Sequence, residues 1–282
     1  MHTNLLIALA NIVENPITDL VAHYQGSNRA NNMGSALETY IKDIFCYSIH
    51  QADDAIHSDF FSYLGNQNNP PDMVIRDGDA IEVKKIENPT SALALNSSYP
   101  KDKLHYDDSR ITDYCRQCDF PNTWQEKDII YVIGVAPKNT NKLSALWFVY
   151  GTCYAADRRI YKRVADKISQ GIQEIPDVEF IETNELAKVK KVDPLGITDL
   201  RVRGMWHIDN PLKVFKEFVS NNKSSFNVHA ILLKDKYDAF PQTDISRLEN
   251  LQNANLSISD IKIKSPNNPA QRLEAKLISY VQ

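Results

Sequence analysis

No apolar run in this sequence of 282 residues approaches the roughly 18 needed to span a bilayer, so no membrane segment is expected. The first residues, Met-His-Thr-Asn-Leu-Leu-Ile, lack both the basic start and the small-residue cleavage site of a secretory signal. Cysteine is scarce, with four in the chain, which makes the cytoplasm the expected compartment. Positive charge is not in excess either. A formal net charge of −4 argues against a uniformly basic nucleic-acid binder, because phosphate contacts need Lys and Arg, but it leaves room for local basic patches. Internal repeats, low-complexity tracts and a clear linker are also missing. The one Cys-x-x-Cys, Cys115 and Cys118, falls short of the two pairs a structural zinc usually takes, and His105 and Cys153 would have to complete it by folding together. Two half-buried thiols at a helix end are the simpler expectation.

What is present is a stretch from Pro71 to Lys85 that reads Pro-Asp-Met-Val-Ile-Arg-Asp-Gly-Asp-Ala-Ile-Glu-Val-Lys-Lys. Two short β-branched or apolar runs flank an Asp-Gly turn signal, which predicts an antiparallel hairpin. Side chains alternate along a strand, so Glu82 and Lys84 share one face while Lys85 points the other way. Pairing brings Asp72 beside Glu82, and two carboxylates that close repel unless a cation lies between them. Mg²⁺ is the natural cation, because it takes one or two carboxylates together with waters and substrate phosphates.

Periodicity organises the rest. Residues 3–24 read as two short helices broken at Asn15-Pro16, 25–32 as a polar loop, and 35–47 as a stronger amphipathic helix. Glu38 sits at the edge of that helix's apolar stripe, where it can reach a metal site, although Ser35 to Glu38 also fits a capping box. Residues 66–70 form a loop, and 86–106 form a long connection in which Ser97, Ser98 and Lys101 either donate to phosphates or face solvent. Arg110 stands near the start of an expected helix over 109–118. Runs 128–135 and 145–150 read as buried strands that extend the hairpin into a mixed sheet. A basic helix over 155–172 follows, with Arg158 and Lys162 on one face and Arg159 and Arg163 on another. Arg201, Arg203, Trp206 and His207 interleave guanidinium and aromatic groups, which suits base or phosphate contact; the rival is an edge strand whose arginines face solvent. A short helix over 211–220, strands over 226–234 and 258–263, and a final helix over 272–281 complete an α/β reading with a mixed central sheet flanked by helices.

Pro71-Asp72, nine intervening residues and Glu82-Val83-Lys84 resemble the signature of the PD-(D/E)XK nucleases. The chain as a whole is similar to the NgoPII-type type II restriction endonucleases, most visibly in Met33-Gly34-Ser35-Ala36-Leu37-Glu38, in Glu82-Val83-Lys84-Lys85 and in Arg203-Gly204-Met205-Trp206. The resemblance implies one restriction-endonuclease-like domain over 1–282. Its parts would be an N-terminal helical portion of about 1–50, a catalytic core of about 35–175 and a C-terminal α/β portion of about 176–282 that helps read DNA. It implies a homodimer, no nucleotide cofactor, and cleavage of double-stranded DNA at a short palindrome, GGCC for the namesake, leaving 5′-phosphate and 3′-hydroxyl ends. In that setting Asp72, Glu82 and the Val83 carbonyl would hold Mg²⁺, Lys84 would orient the attacking water, and Glu38 would join if it binds a second metal or its water. A repair or recombination nuclease of the same core, and a DNA-binding regulator without catalysis, are the alternatives.

Overall fold

Side-chain alternation and near-continuous apolar runs pair most of the strands into one large sheet. The structure is a computed structural model and describes all residues except 25–32, 50–53, 67–68, 139, 182, 184, 220–224 and 254. Helices α1 (Leu5–Glu14), α2 (Leu20–His23) and α3 (Met33–Cys46) open the chain. Asn4 caps α1 by accepting from the amides of Leu6 and Ile7, and the helix stops before Pro16. The expected loop at 25–32 lies outside the described residues.

Helix α4 (His57–Phe60) then leads into β1 (Phe61–Asn66), β2 (Asn69–Ile75) and β3 (Ala80–Ile86). After β4 (Leu93–Asn96), β5 (Lys103–His105) and α5 (Asp113–Arg116) come the long strands β6 (Glu126–Val135) and β7 (Ala145–Tyr150). Helices α6 (Gly151–Tyr154) and α7 (Arg158–Gln173) precede β8 (Glu179–Ile181), β9 (Ala187–Lys190), β10 (Leu200–Val202) and β11 (Trp206–Ile208). The chain closes with α8 (Pro211–Val214), β12 (Asn227–Leu233), α9 (Lys234–Asp238), α10 (Gln242–Asn250), β13 (Leu256–Lys264) and β14 (Arg272–Val281).

The main sheet runs β1-β2-β3-β6-β7-β12-β14-β13, with β5 attached to β6. It is mixed: β3 pairs with β6 and β7 with β12 in parallel, and the remaining pairs are antiparallel. The expected α/β architecture with a mixed central sheet flanked by helices is therefore the observed one. Strands β8 to β10 form a separate three-stranded sheet, and β11 pairs with β4. Ile130, Val132 and Ile133 of β6 are fully buried, each contributing about 1.5–3 kcal/mol. Helix α3 buries Leu37, Tyr40, Ile41, Ile44 and Phe45 and packs against α1 and β3. Gly134 on β6 permits its close approach, since a Cβ there would lie 2.6 Å from Leu37 Cδ2. Among the described residues no helix is long and apolar enough to cross a membrane.

Four expectations fail. Residues 272–281 form β14, not a helix. Their Leu, Glu, Ala and Lys favour helix locally, but pairing with β12 on one side and β13 on the other overrides that preference. The helix over 109–118 shrinks to the single turn of α5, whose cap is the Thr112 hydroxyl accepting from the Cys115 amide. Residues 66, 69 and 70 belong to the ends of β1 and β2, which form a hairpin; 67–68 lie outside the described residues. Only Pro211–Val214 of the helix expected over 211–220 is helical, and residue 220 is outside the described set.

At Gly151, the junction of β7 and α6, the chain passes very close to the backbone of residues 101–102. A Cβ there would lie 2.4 Å from the carbonyl oxygens of both Lys101 and Asp102, which are backbone atoms and cannot swing aside. Gly151→Ala is expected to cost about 1–3 kcal/mol in urea unfolding. A variant within about 0.5 kcal/mol of wild type would show that the close approach does not exist.

Candidate active site

The backbone ladder between β2 and β3 covers Met73 with Ile81 and Val74 with Ala80. One step further along, side-chain chemistry takes over: Asp72 Oδ2 accepts the Val83 N–H at 2.6 Å. The ladder opens there, and the carboxylate fills the place of a strand acceptor. Alternation puts Glu82 and Lys84 on the same face as expected, with Lys84 Nζ donating to Glu82 Oε1 at 2.6 Å. Lys85 points to the other face and pairs with Glu87. Glu38 comes from α3, close enough to act electrostatically on both Asp72 and Lys84. Helix α3 begins at Met33, so Ser35 lies inside the helix and is not its N-cap.

Burial pushes the Asp72 carboxyl up to about 7, and repulsion from Glu82 adds to it, against the lowering effect of the Val83 hydrogen bond. For Lys84, burial works against the ammonium, but the charge and hydrogen bond of Glu82 outweigh it, with help from Asp72 and Glu38, so its pKa is raised. Lys84 is thus a fixed positive charge. Glu82 Oε2 is buried and has no hydrogen-bond partner among the described residues. A buried acceptor left bare costs on the order of 1–3 kcal/mol, and a cation would relieve it. Among the described residues no group of three His, Cys, Asp or Glu side chains is gathered tightly enough to hold a metal. Two carboxylates and the Val83 carbonyl suffice for a hard cation that keeps waters, so the residues fit Mg²⁺ and do not fit a closed protein cage. Cys115 is buried, its thiol pushed up to about 12 by that burial, and Cys118 is half-buried; both are free thiols.

Beside this centre lies a groove of about 1140 Å³. Ser97, Ser98, Lys101, Arg110 and Trp206 line it. Two contacts tie it to the carboxylates. Tyr131, paired in register with Glu82, accepts the Lys101 N–H through its hydroxyl at 2.7 Å. Asn69, three residues before Asp72, donates to the Arg110 carbonyl at 3.0 Å. Arg110 also reaches Ser97 Oγ at 3.2 Å, while the Ser98 hydroxyl is buried without a partner among the described residues. The Lys101 ammonium is buried against Asp108 and over the Tyr99 ring, so it serves the groove wall. Arg201 and Arg203 are exposed and share the carboxylate of Glu185, which lines the groove. Trp206 packs with Tyr99 and Tyr161, whose rings stack with centroids 5.7 Å apart. His207, next to Trp206 on β11, is exposed. From the basic helix, Arg158, Arg159 and Lys162 line the groove. Tyr131 and Glu185 carried no signal in the sequence, since one sits in a buried run and the other is isolated.

Comparison with known proteins gives one consistent result. The family model described as NgoPII restriction endonuclease matches residues 3–264. The curated type II restriction enzyme NgoPII of Neisseria gonorrhoeae is 49% identical over 281 residues, covering 98% of this chain and 99% of that protein. No solved structure matches.

The Asp72 conflict has a measurable sign. Its folded pKa lies above the ordinary 3.8, so the stabilisation from its proton is fully present below about pH 3.8 and is lost as pH rises through about 7. Asp72→Asn is therefore expected to raise the stability of the metal-free protein by about 1–2 kcal/mol at pH 8, with the gain fading towards pH 4. Thermal or urea unfolding at the two pH values checks it, and a destabilised variant at pH 8 would contradict it.

Proposed function

The chain belongs to the NgoPII restriction endonuclease family, and from that membership we propose that it is a type II enzyme hydrolysing phosphodiester bonds of double-stranded DNA at Asp72, Glu82 and Lys84. The observation that carries the reading is the bare, buried Oε2 of Glu82 beside the Lys84 ammonium and the Asp72 carboxylate, next to a groove with basic walls. The substrate is a short palindrome, with GGCC the first sequence to try. The enzyme acts in the cytoplasm as a homodimer without a nucleotide cofactor.

Asp72 and Glu82, with the Val83 carbonyl, are the residues that would hold Mg²⁺. A bound cation there supplies Lewis-acid stabilisation of the charge that grows on the phosphate and makes a nearby water easier to deprotonate. The Val83 N–H locks the Asp72 carboxylate in place, so the acid needs no reordering when substrate arrives. Lys84 stays protonated, which rules it out as a strong base; it orients the attacking water and offsets negative charge on the phosphate in the transition state. Glu38 adds a third negative group that orients water from the side of α3. Arg110, Arg158 and Lys162, with Ser97 and Ser98, grip phosphates, and Arg201, Arg203, Trp206 and His207 contact bases or backbone at the groove's outer wall. In-line displacement of the 3′-oxygen leaves a 5′-phosphate and a 3′-hydroxyl.

Cleavage of duplex DNA carrying GGCC, with Mg²⁺ present, tests this directly. Glu82→Ala and Lys84→Ala are each expected to lose on the order of 10²–10³-fold or more in rate while still binding the duplex. If both variants cut normally, the assignment is wrong. A wild type that cuts only branched DNA would be a repair-type nuclease, and one that binds but never cuts would be a regulator.

Mg²⁺ is further expected to raise the thermal midpoint of the wild type and leave that of Asp72→Asn unmoved. Equal shifts in both would remove Asp72 from the metal site.

A further inference from the structure

Helix α7 has sixteen residues and buries none of them. One face, with Arg158, Lys162, Ser169 and Gln173, lines the groove. The opposite face carries Ile160, Val164 and Ile168 at four-residue spacing, continued by Ile175 just beyond the helix, and these are 40–46% exposed. The exposure is not general. Nine of the sixteen large apolar side chains exposed among the described residues fall between residues 158 and 205, about a sixth of the chain. A stripe this regular on an otherwise charged helix is the apolar half of an interface.

Charge indicates what covers it. The first ten residues of α7 hold Arg158, Arg159, Lys162, Arg163 and Lys167 against Asp166 alone, the remainder of the helix is uncharged, and the segment directly after its C-terminal end is acidic, with Glu174, Asp177 and Glu179. A helix and following segment of this combined polarity repel a parallel copy and attract an antiparallel one. We propose that α7 is the dimer interface of this enzyme, packing antiparallel against α7 of a second copy of the chain about a two-fold axis near Ile168. In that arrangement Ile160 meets Ile175 of the other copy, and Glu174 falls between Arg159 and Arg163 across the seam. An isologous contact of this kind uses the same patch twice. Lys167 comes near its own counterpart, and its flexible stem lets the ammonium turn to water. The inference rests on the reading of the chain as a dimer acting on a palindrome, and it deepens that reading. The two grooves, each walled by the inner face of α7, would lie side by side along one duplex.

Sedimentation of the full chain without DNA is the test. The wild type is expected to sediment as a dimer and Val164→Glu/Ile168→Glu as a monomer of half the mass, with unchanged circular dichroism, because neither residue is buried. Mixing Ile160→Cys with Ile175→Cys protein under mild oxidation is expected to give a disulfide-linked pair that Ile160→Cys alone does not give. A monomeric wild type, a dimer that survives the double substitution, or cross-linking of Ile160→Cys by itself would each overturn the interface. Cleavage is scored separately. A monomer that cuts duplex DNA refutes the interface and leaves the nuclease reading standing, and a dimer that never cuts does the reverse.

Discussion

The hydrogen bond from the Val83 amide to Asp72 is the contact on which the rest of the site depends. It ends the β2–β3 ladder one residue pair early and turns the Asp72 side chain inward, opposite Glu82. Two carboxylates are thereby held together in a half-buried place, with the Lys84 ammonium bonded to one of them. Had Val83 bonded to a backbone carbonyl instead, Asp72 would be free to rotate into water, and the repulsion between the two carboxylates would relax. The surrounding fold has to supply the stability this arrangement gives up. β6 does much of that, buried on both faces and paired in parallel with the whole of β3 through Ile129 to Val135.

The other end of the same hairpin shows the contrast. Asp79 is also buried, and burial also raises its pKa, yet every demand it makes is met. Lys236 donates to Asp79 and to Asp128 at 2.7 Å each, and the Tyr150 hydroxyl donates to the second Asp79 oxygen at 2.6 Å. Lys127 adds a bond to the Gly78 carbonyl and an ion pair with Asp119, whose carboxyl in turn accepts the Asp77 amide. A satisfied network rigidifies its elements, while an incomplete one stores a conflict. The hairpin is thus clamped at its turn and left wanting at its open end. The two aspartates, seven residues apart in sequence, differ in that one is fully satisfied and the other is not.

How much of this the sequence discloses depends on whether the signal is local. The hairpin was legible because Asp-Gly between β-branched runs is a short-range instruction, and the shared face of Glu82 and Lys84 follows from strand period alone. Asp72 opposite Glu82 was legible once the turn was placed. The β14 strand was not: Leu273, Ala275 and Leu277 alternate correctly, but the intervening Glu and Lys carry helix propensity, and only its two strand neighbours decide the outcome. The groove was half legible. Basic residues over 158–167 announced themselves, but that Arg158 and Lys162 face the cleft while Arg163 faces away depends on where α7 stands. Glu185 and Tyr131 matter only through partners distant in sequence, so no local pattern marks them.

The net charge of −4 then has a physical reading that composition alone does not give. The basic groups of the groove are not bare. Arg201 and Arg203 share Glu185, Arg158 contacts Asp107, and Lys162 pairs with Asp166. Exposed pairs of this kind are weak, so an anion can replace the carboxylate at little cost. The carboxylates fix the guanidinium groups in defined positions at the groove. They also subtract from its long-range field, which moderates attachment to arbitrary duplex. An enzyme that has to search DNA and cut at few places gains from such restraint. The acidic balance of the chain is therefore compatible with its basic groove, because the compensating charges sit beside the groups they moderate.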